Sequence, residues 1–369
     1  MVEMSDNIFF NIIIIGGGPA GIAAGLTITS RCLSCVIVEA NQISDQKLGE
    51  CLPPNSLPLF KKMGLESLLQ DEQHHPYYGN KSVWGNDKIE EKLFLFDKFS
   101  QGILLNRNYF EKQLREVSKL NHLQWLEGYT FYSVEKENDV TKVVLKSKTN
   151  TKTLYCNYII DATGRKASVC RKLGVNKNTI DELTSLNFKY KIKKPVPFFV
   201  FTESLENGWV YVSPSEKDFL TVMIFTDLDL IPSKKEEKEF IERHINNSVL
   251  IQEILKKNDI EPEILDLKTR VANTTCLNVP FGENWIAIGD AAYSFDPLSS
   301  YGITSALAAG YYGGHAVSDA ISGKTEALET YHFIMDNAFL NYKIQLKEQY
   351  ATEKRWKEKT FWKRRLNYN

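Results

Sequence analysis

Ile8 to Ile15 is an apolar run that ends directly in Gly16-Gly17-Gly18-Pro19-Ala20-Gly21, and this junction constrains the chain more than any other feature. A short apolar run that ends in glycines fits a strand of a buried parallel sheet. The hexad has the spacing G-x-G-x-x-G, and the small residues of Ala20 to Ser30 predict a helix after it. In such a turn the first glycine permits the tight reversal. The second lets a pyrophosphate approach the backbone, and the third lets the helix pack close to the strand. Free N–H groups and the positive end of the helix dipole favour the phosphate. Val36-Ile37-Val38 predicts a second buried strand, which completes a β-α-β unit. Glu39 ends that strand 18 residues after Gly21, where an acid binds ribose hydroxyls. Gly16, Gly18, Gly21 and Glu39 together predict a dinucleotide site.

A chain of 369 residues exceeds this one unit, since domains average about 150 residues. Tyr109 to Leu120 predicts a helix, and Tyr129 to Ile160 alternates like a hairpin with a turn near Ser147 to Asn150. Alternation from Thr184 to Lys194 places Leu186, Phe188, Tyr190 and Ile192 on one face. Further alternating runs at Phe198 to Phe201, Trp209 to Val212 and Phe219 to Phe225 predict a second sheet. Ser233 to Glu236 reads as a capping box that opens one helix running to about Lys257. Trp285 to Ile288 predicts another buried strand, with a long small-residue helix from about Gly302. A helical tail follows Ala327.

Charge excludes several classes. With 45 basic and 46 acidic residues there is no global attraction to nucleic acid or to an anionic membrane. The uncharged stretches Asn7 to Ser30 and Pro297 to Ser318 are broken by glycines, so no membrane span is expected. Glu3 and Asp6 at the start have the wrong sign for a signal peptide, which points to a cytoplasmic location. Six cysteines are too few for a disulfide scaffold. Cys32 and Cys35 precede a strand rather than opening a helix, and His74-His75 has no companion at helical spacing, so no metal site is expected.

Two later turns narrow the dinucleotide. Tyr158-Ile159-Ile160-Asp161-Ala162-Thr163-Gly164-Arg165 is a buried strand that ends in an A-T-G turn. Trp285-Ile286-Ala287-Ile288-Gly289-Asp290-Ala291-Ala292 ends in G-D-A-A, with Asp296-Pro297 and Gly302 beyond it. In this order the three motifs resemble the FAD-dependent monooxygenases of the para-hydroxybenzoate hydroxylase type. Leu48 to Pro54, Asn207 to Tyr211 and Asp296 to Gly302 look most like the branch holding tryptophan halogenases and the flavoproteins that modify amine oxidases during maturation. The ending, from Tyr350 through Trp356 and Trp362 to Arg365, resembles the latter group. Cys51 departs from that group's usual serine.

The resemblance implies an α/β chain: a Rossmann-like FAD-binding domain with an inserted β-sheet substrate domain and a helical C-terminus. The expected FAD segments are 1–75, 101–183 and 272–326. Strands at 76–100 and the segment 184–271 form the substrate domain, and helices fill 327–369. It implies FAD contacts at Pro19, Ala20, Ala40, Gly49, Arg107, Asp161, Gly164, Gly289, Asp290, Pro297, Ser300, Gly302 and Ile303, beside the first motif. Asp290 would hold the ribityl chain, and Pro297 would face the isoalloxazine ring. Glu50 is the candidate catalytic acid, for proton handling or substrate binding, with a structural carboxylate as the alternative. Trp84, Trp209 and Tyr211 are candidate substrate-pocket residues, with core packing as the alternative.

The implied chemistry is reduction of FAD by NAD(P)H or supply of external reduced flavin, addition of O₂ at C4a, and delivery of oxygen to an electron-rich aromatic substrate. The substrate class includes a Trp or Tyr side chain of a protein or peptide. A flavin-dependent halogenase and a non-catalytic flavin-binding assembly factor stand as alternatives. The context of Lys81 and the presence of Tyr211 both depart from the halogenase pattern. The basic tail from Lys354 to Arg365 is a solvated or packed helix, or a surface for a protein partner.

Overall fold

The computed structural model describes residues 8–41, 51–96, 98–215, 218–258, 260 and 263–366. Ile8–Ile15 forms the central strand of a sheet that counts eight strands among the described residues. It pairs in parallel with Cys35–Glu39 on one side and Thr151–Asp161 on the other. Gln124–Glu127 and Trp285–Ala287 extend the parallel order outward. Ile12, Ile13 and Ile14 are fully buried because both faces are covered, which is why this strand reads as a continuous apolar run.

The first helix, Pro19–Ser30, crosses one face against the long helix Gly302–Ile321. Small residues on both bring the backbones together: a Cβ on Gly310 would stand 2.1 Å from the carbonyl oxygen of Ala20. The glycines that interrupt these apolar stretches are thus packing surfaces. Among the described residues no helix is long and apolar enough to cross a membrane.

A second sheet counts seven strands among the described residues, in the order Leu265–Val271, Leu183–Lys191, Phe219–Asp227, Gly208–Ser215, Val200–Leu205, Gly79–Val83, Glu90–Leu93. Leu186, Phe188, Tyr190 and Ile192 share one face, as their alternation predicts, and bury it under two helices. The single helix expected from Ser233 to Lys257 is in fact Glu237–Asn247 followed by Val249–Asn258. Glu203, from the sheet, causes the break. Its buried carboxylate accepts from the Ser248 hydroxyl at 2.6 Å and from the backbone N–H groups of Val249 and Leu250, each at 2.9 Å. A second helix start is thereby capped where the pattern alone shows no stop. The Ser233 hydroxyl and the Glu236 carboxylate bond each other at 2.8 Å, and the helix begins one residue later.

The tail packs across the end of this sheet. Trp362 and Arg365 are fully buried, and Arg365 donates to both carboxylate oxygens of Asp227 at 2.7 and 3.1 Å. Arg364 reaches Asp227 and Asp229 at 2.9 and 2.7 Å. These two arginines are paired within the chain, which favours the packed helix among the alternatives for the tail. Cys35 is buried, and burial pushes its thiol up to about 11, in keeping with a structural residue.

Candidate functional site

Gly16 has φ +110, and a Cβ there would stand 2.3 Å from the carbonyl oxygen of Ala162. Only glycine lets the strand turn this close to its neighbour. The Gly17 N–H donates to Glu39 Oε2 at 2.7 Å, and Asn41 N–H donates to Oε1 at 3.0 Å. The carboxylate is thus fixed at the N-terminal end of the first helix. Gly18 differs from its neighbours in the hexad: a Cβ there would meet nothing within 4 Å. Its half-buried backbone faces an open space rather than packed protein.

That space is a cavity of about 1460 Å³. A pocket for one drug-sized ligand is ~300–1,000 Å³, so this one has room for a dinucleotide and a second molecule. One end is lined by Gly18, Pro19, Ala20 and Glu39. Arg107, Gly164 and Asp290 follow, then Pro297, Ser300, Gly302 and Ile303. The far end meets the second sheet at Ser185, Asn187, Tyr211, Met223, Phe225 and Arg270.

Asp290 stands midway, enclosed by protein and open to the cavity. Burial raises its pKa, and the Arg165 guanidinium at 3.5 Å opposes that rise, as does Lys177. Arg165 is itself anchored on the carbonyl oxygens of Asn273 and Phe295. Arg107 is clamped by Glu111, one helical turn on, with Nε at 3.0 Å and Nη2 at 2.5 Å from the same oxygen. Asn106 caps this helix by accepting from Tyr109 N–H at 3.2 Å.

Asp296 is fully buried beneath the Pro297 turn. It accepts from Leu298 N–H at 2.9 Å and from the Tyr350 hydroxyl at 2.7 Å, and Trp209 Nε1 donates to that hydroxyl at 3.0 Å. Tyr350 thus ties the cavity wall to the C-terminal helix Glu326–Ala351. Burial, reinforced by nearby Asp181, raises the Asp296 carboxyl to about 6 against the two hydrogen bonds. The folded state therefore binds this proton more tightly than the unfolded chain does. The stability it contributes is complete below about pH 4 and is lost as pH rises through about 6. From this group alone, unfolding free energy should fall by about 2 kcal/mol between pH 4 and 7. Denaturant titrations of wild type and Asp296→Asn across that range check this, and parallel slopes would contradict it.

Several expected site residues lie elsewhere. Asp161 is fully buried, and both its oxygens are occupied. Oδ1 accepts from Thr163 N–H and its hydroxyl, at 3.0 and 2.7 Å. Oδ2 accepts from Val169 and Cys170 N–H, at 2.9 and 3.0 Å. It braces the turn that presents Gly164 rather than lining the cavity. Gly16, Gly21 and Gly289 shape the backbone behind the lining, and Ala40 is exposed beyond it. Gly49 and Glu50 lie outside the described residues.

Trp84 and Trp209 belong to the core under the tail, where their ring N–H groups donate to the Gln349 carbonyl and the Tyr350 hydroxyl. Trp209 and Tyr211 share one face of their strand, but the C-terminal helix covers Trp209 and leaves Tyr211 on the cavity. Lys81 sits outside the lining, 3.1 Å from Glu91 and over the Phe199 ring. Asn187, Met223, Phe225 and Arg270 were not expected at the site. Their signal was the face opposite Leu186 and Phe188, where Ser185 and Asn187 alternate with the core residues.

Over residues 10–336 the sequence matches the family described as FAD binding domain. The chain belongs to that family. The flavoprotein is 26% identical over 363 residues to a Marinomonas mediterranea protein named as a FAD-dependent oxidoreductase, LodB, with 96% of each chain covered. It is 21% identical to tryptophan 2-halogenase of Chondromyces crocatus, over 95% of this chain and 69% of that one. Among solved structures, the flavin-dependent halogenase CmlS aligns with a TM-score of 0.85 at 22% identity, over 98% of this chain and 68% of that one. QhpG, a peptidyl tryptophan dihydroxylase, aligns with a TM-score of 0.77 at 19% identity, over 97% and 79%. The structural likenesses show a shared fold, and the family match makes this a flavin-dependent oxidoreductase.

The residues present suit FAD. The open backbone at Gly18 is a cradle that a side chain would fill, and the Glu39 carboxylate stands beside it for ribose hydroxyls. Asp290 faces the middle of the cavity, where it can accept from further hydroxyls. Gly302 opens a 20-residue helix at the cavity wall and brings the positive end of its dipole there.

Proposed function

We propose that the flavoprotein is a monooxygenase that hydroxylates an electron-rich aromatic ring, with a Trp or Tyr side chain of a peptide or protein as its substrate class. The observation that carries this reading is the continuity of one cavity from the Pro297 and Gly302 wall to Tyr211, Met223 and Phe225. Phe225 is held in place by stacking on Trp209, at 3.9 Å between ring centroids. These side chains offer a flat apolar wall for a ring. At the mouth, Arg270 and Val271 are exposed, which suits a substrate that is part of a larger molecule.

Bound FAD, once reduced by NAD(P)H or replaced by external reduced flavin, supplies the activation of O₂. The protein orients the ring, excludes water from it and sets the charge around it. In the net reaction an aromatic C–H becomes C–OH. The second oxygen atom leaves as water with two electrons from the reductant. The similarity to QhpG, a peptidyl tryptophan dihydroxylase, supports the peptide class. Halogenases are also among the relatives, so halogenation is the second reading. The pairing of Lys81 with Glu91 away from the cavity favours hydroxylation over it.

The test combines FAD-loaded protein, NAD(P)H or reduced flavin, O₂ and bromide with capped peptides containing Trp or Tyr. Mass spectrometry is expected to find one added oxygen and no halogen. A halogenated product would transfer the assignment to the second reading. Reductant consumption with every peptide unchanged would defeat both.

A further inference from the structure

Asn187 lies on Leu183–Lys191, opposite Met223 of Phe219–Asp227 and next but one to Ser185 along its own strand. It lines the cavity and is only 2% exposed. Its amide orientation is set by its surroundings. Nδ2 lies 3.2 Å from the Ser185 carbonyl and 3.1 Å from the Lys268 carbonyl, neither of which can donate. Nδ2 also lies 2.9 Å from the Ser185 hydroxyl, which in turn donates to the Arg270 carbonyl. The nitrogen therefore belongs on the strand side.

That leaves Oδ1, a buried acceptor with no hydrogen-bond partner in the protein. A buried polar atom without a partner costs free energy, so its retention beside a binding cavity implies a partner that arrives with the ligand. Along the sheet, Met223 is directly opposite Asn187 and Tyr211 is directly opposite Met223, so all three line one row of the cavity wall. Phe225 lies one alternation along the same face. A ring laid against these residues has its edge beside Asn187.

We infer that Asn187 Oδ1 is a specificity-determining acceptor that selects aromatic rings carrying a hydrogen-bond donor, an indole N–H or a phenol O–H, over rings that lack one. The inference rests on the monooxygenase reading for the identity of the ring. Asn187 acts by binding the substrate and takes no part in proton transfer. Capping the donor removes the hydrogen atom that the ring offers to Oδ1, and in a water-poor site that loss is not made good by solvent.

Four capped tripeptides test it by calorimetric titration into FAD-loaded protein: Gly-Trp-Gly, its 1-methyl-Trp analogue, Gly-Tyr-Gly and its O-methyl-Tyr analogue. Oxygenation of the same peptides is followed for KM and kcat. Wild type is expected to bind whichever ring it oxygenates at least about tenfold more tightly than the methylated form, with the change in KM rather than kcat. The Trp and Tyr arms show which donor is read. Asn187→Leu should bind the paired peptides equally, while Asn187→Asp, which keeps an acceptor, retains the preference. If Asn187→Leu fails to fold or to hold FAD, the wild-type comparison and Asn187→Asp decide.

Equal binding and equal KM for methylated and unmethylated rings in wild type would overturn the inference and leave the monooxygenase reading standing. A preference that survives in folded Asn187→Leu would also overturn it. Oxygenation of none of the four peptides would overturn the peptide reading and this inference with it.

Discussion

Gly18→Val protein is expected to fold and to lose FAD, with affinity reduced at least about 100-fold, or roughly 3 kcal/mol. The backbone at Gly18 has φ −79, which valine adopts freely, and the added carbon meets no protein atom within 4 Å. The substitution is therefore benign for the protein itself. Its cost falls on the ligand, because the side chain enters the space where the pyrophosphate must approach the helix N–H groups. FAD released from the purified variant, measured against protein concentration, reads the effect. Full occupancy would remove the pyrophosphate from this turn. Thermal unfolding of the apo forms should coincide, which separates a binding defect from a folding defect.

Arg365→Ala is expected to destabilise the fold by about 3 kcal/mol. Removing one partner of a buried ion pair typically costs about 3–5 kcal/mol, since the remaining charge keeps its desolvation penalty. The side chains of Arg365 and Asp227 are 1% and 2% exposed. Arg364 still reaches Asp227 at 2.9 Å, which holds the loss to the lower end. Arg365 also lies over the Phe361 ring, so packing is lost along with charge. Arg364→Ala is the comparison: that side chain is 42% exposed, and its loss should cost no more than about 1 kcal/mol. Urea unfolding of the three proteins checks the order. An unchanged midpoint in Arg365→Ala would mean that the tail is not anchored through this pair.

The glycine turn was legible because its signal is steric and local. Gly16 must turn against Ala162, Gly18 must stay bare, and Glu39 must close the next strand, so spacing alone identifies the nucleotide end. The A-T-G and G-D-A-A turns were legible through their resemblance to a flavoprotein family, although only the structure separates the tasks of their two acids. Asp161 and Asp290 each follow a buried strand. One bonds four groups of its own turn and the next helix, and the other is left facing the cavity. Sequence cannot make that distinction, because it depends on whether backbone N–H groups are close enough to occupy the carboxylate.

Alternation along the second sheet was equally local, and it located the core face at Leu186, Phe188 and Tyr190. It could not say what covers the opposite face. Trp209 and Tyr211 have the same orientation on one strand, yet the helix that carries Tyr350 buries the first and leaves the second on the cavity. Glu203 ends one helix and starts another from 45 residues away, where the apolar stripe runs on unbroken. What the sequence by itself determined is therefore the set of turns and periodicities imposed by backbone sterics. Tertiary structure alone decided which polar groups are spent on their neighbours and which, like Asn187, remain for a ligand. Hydrogen bonding and burial are settled by segments far apart in the chain, and their proximity exists only once the two sheets and the tail have packed together.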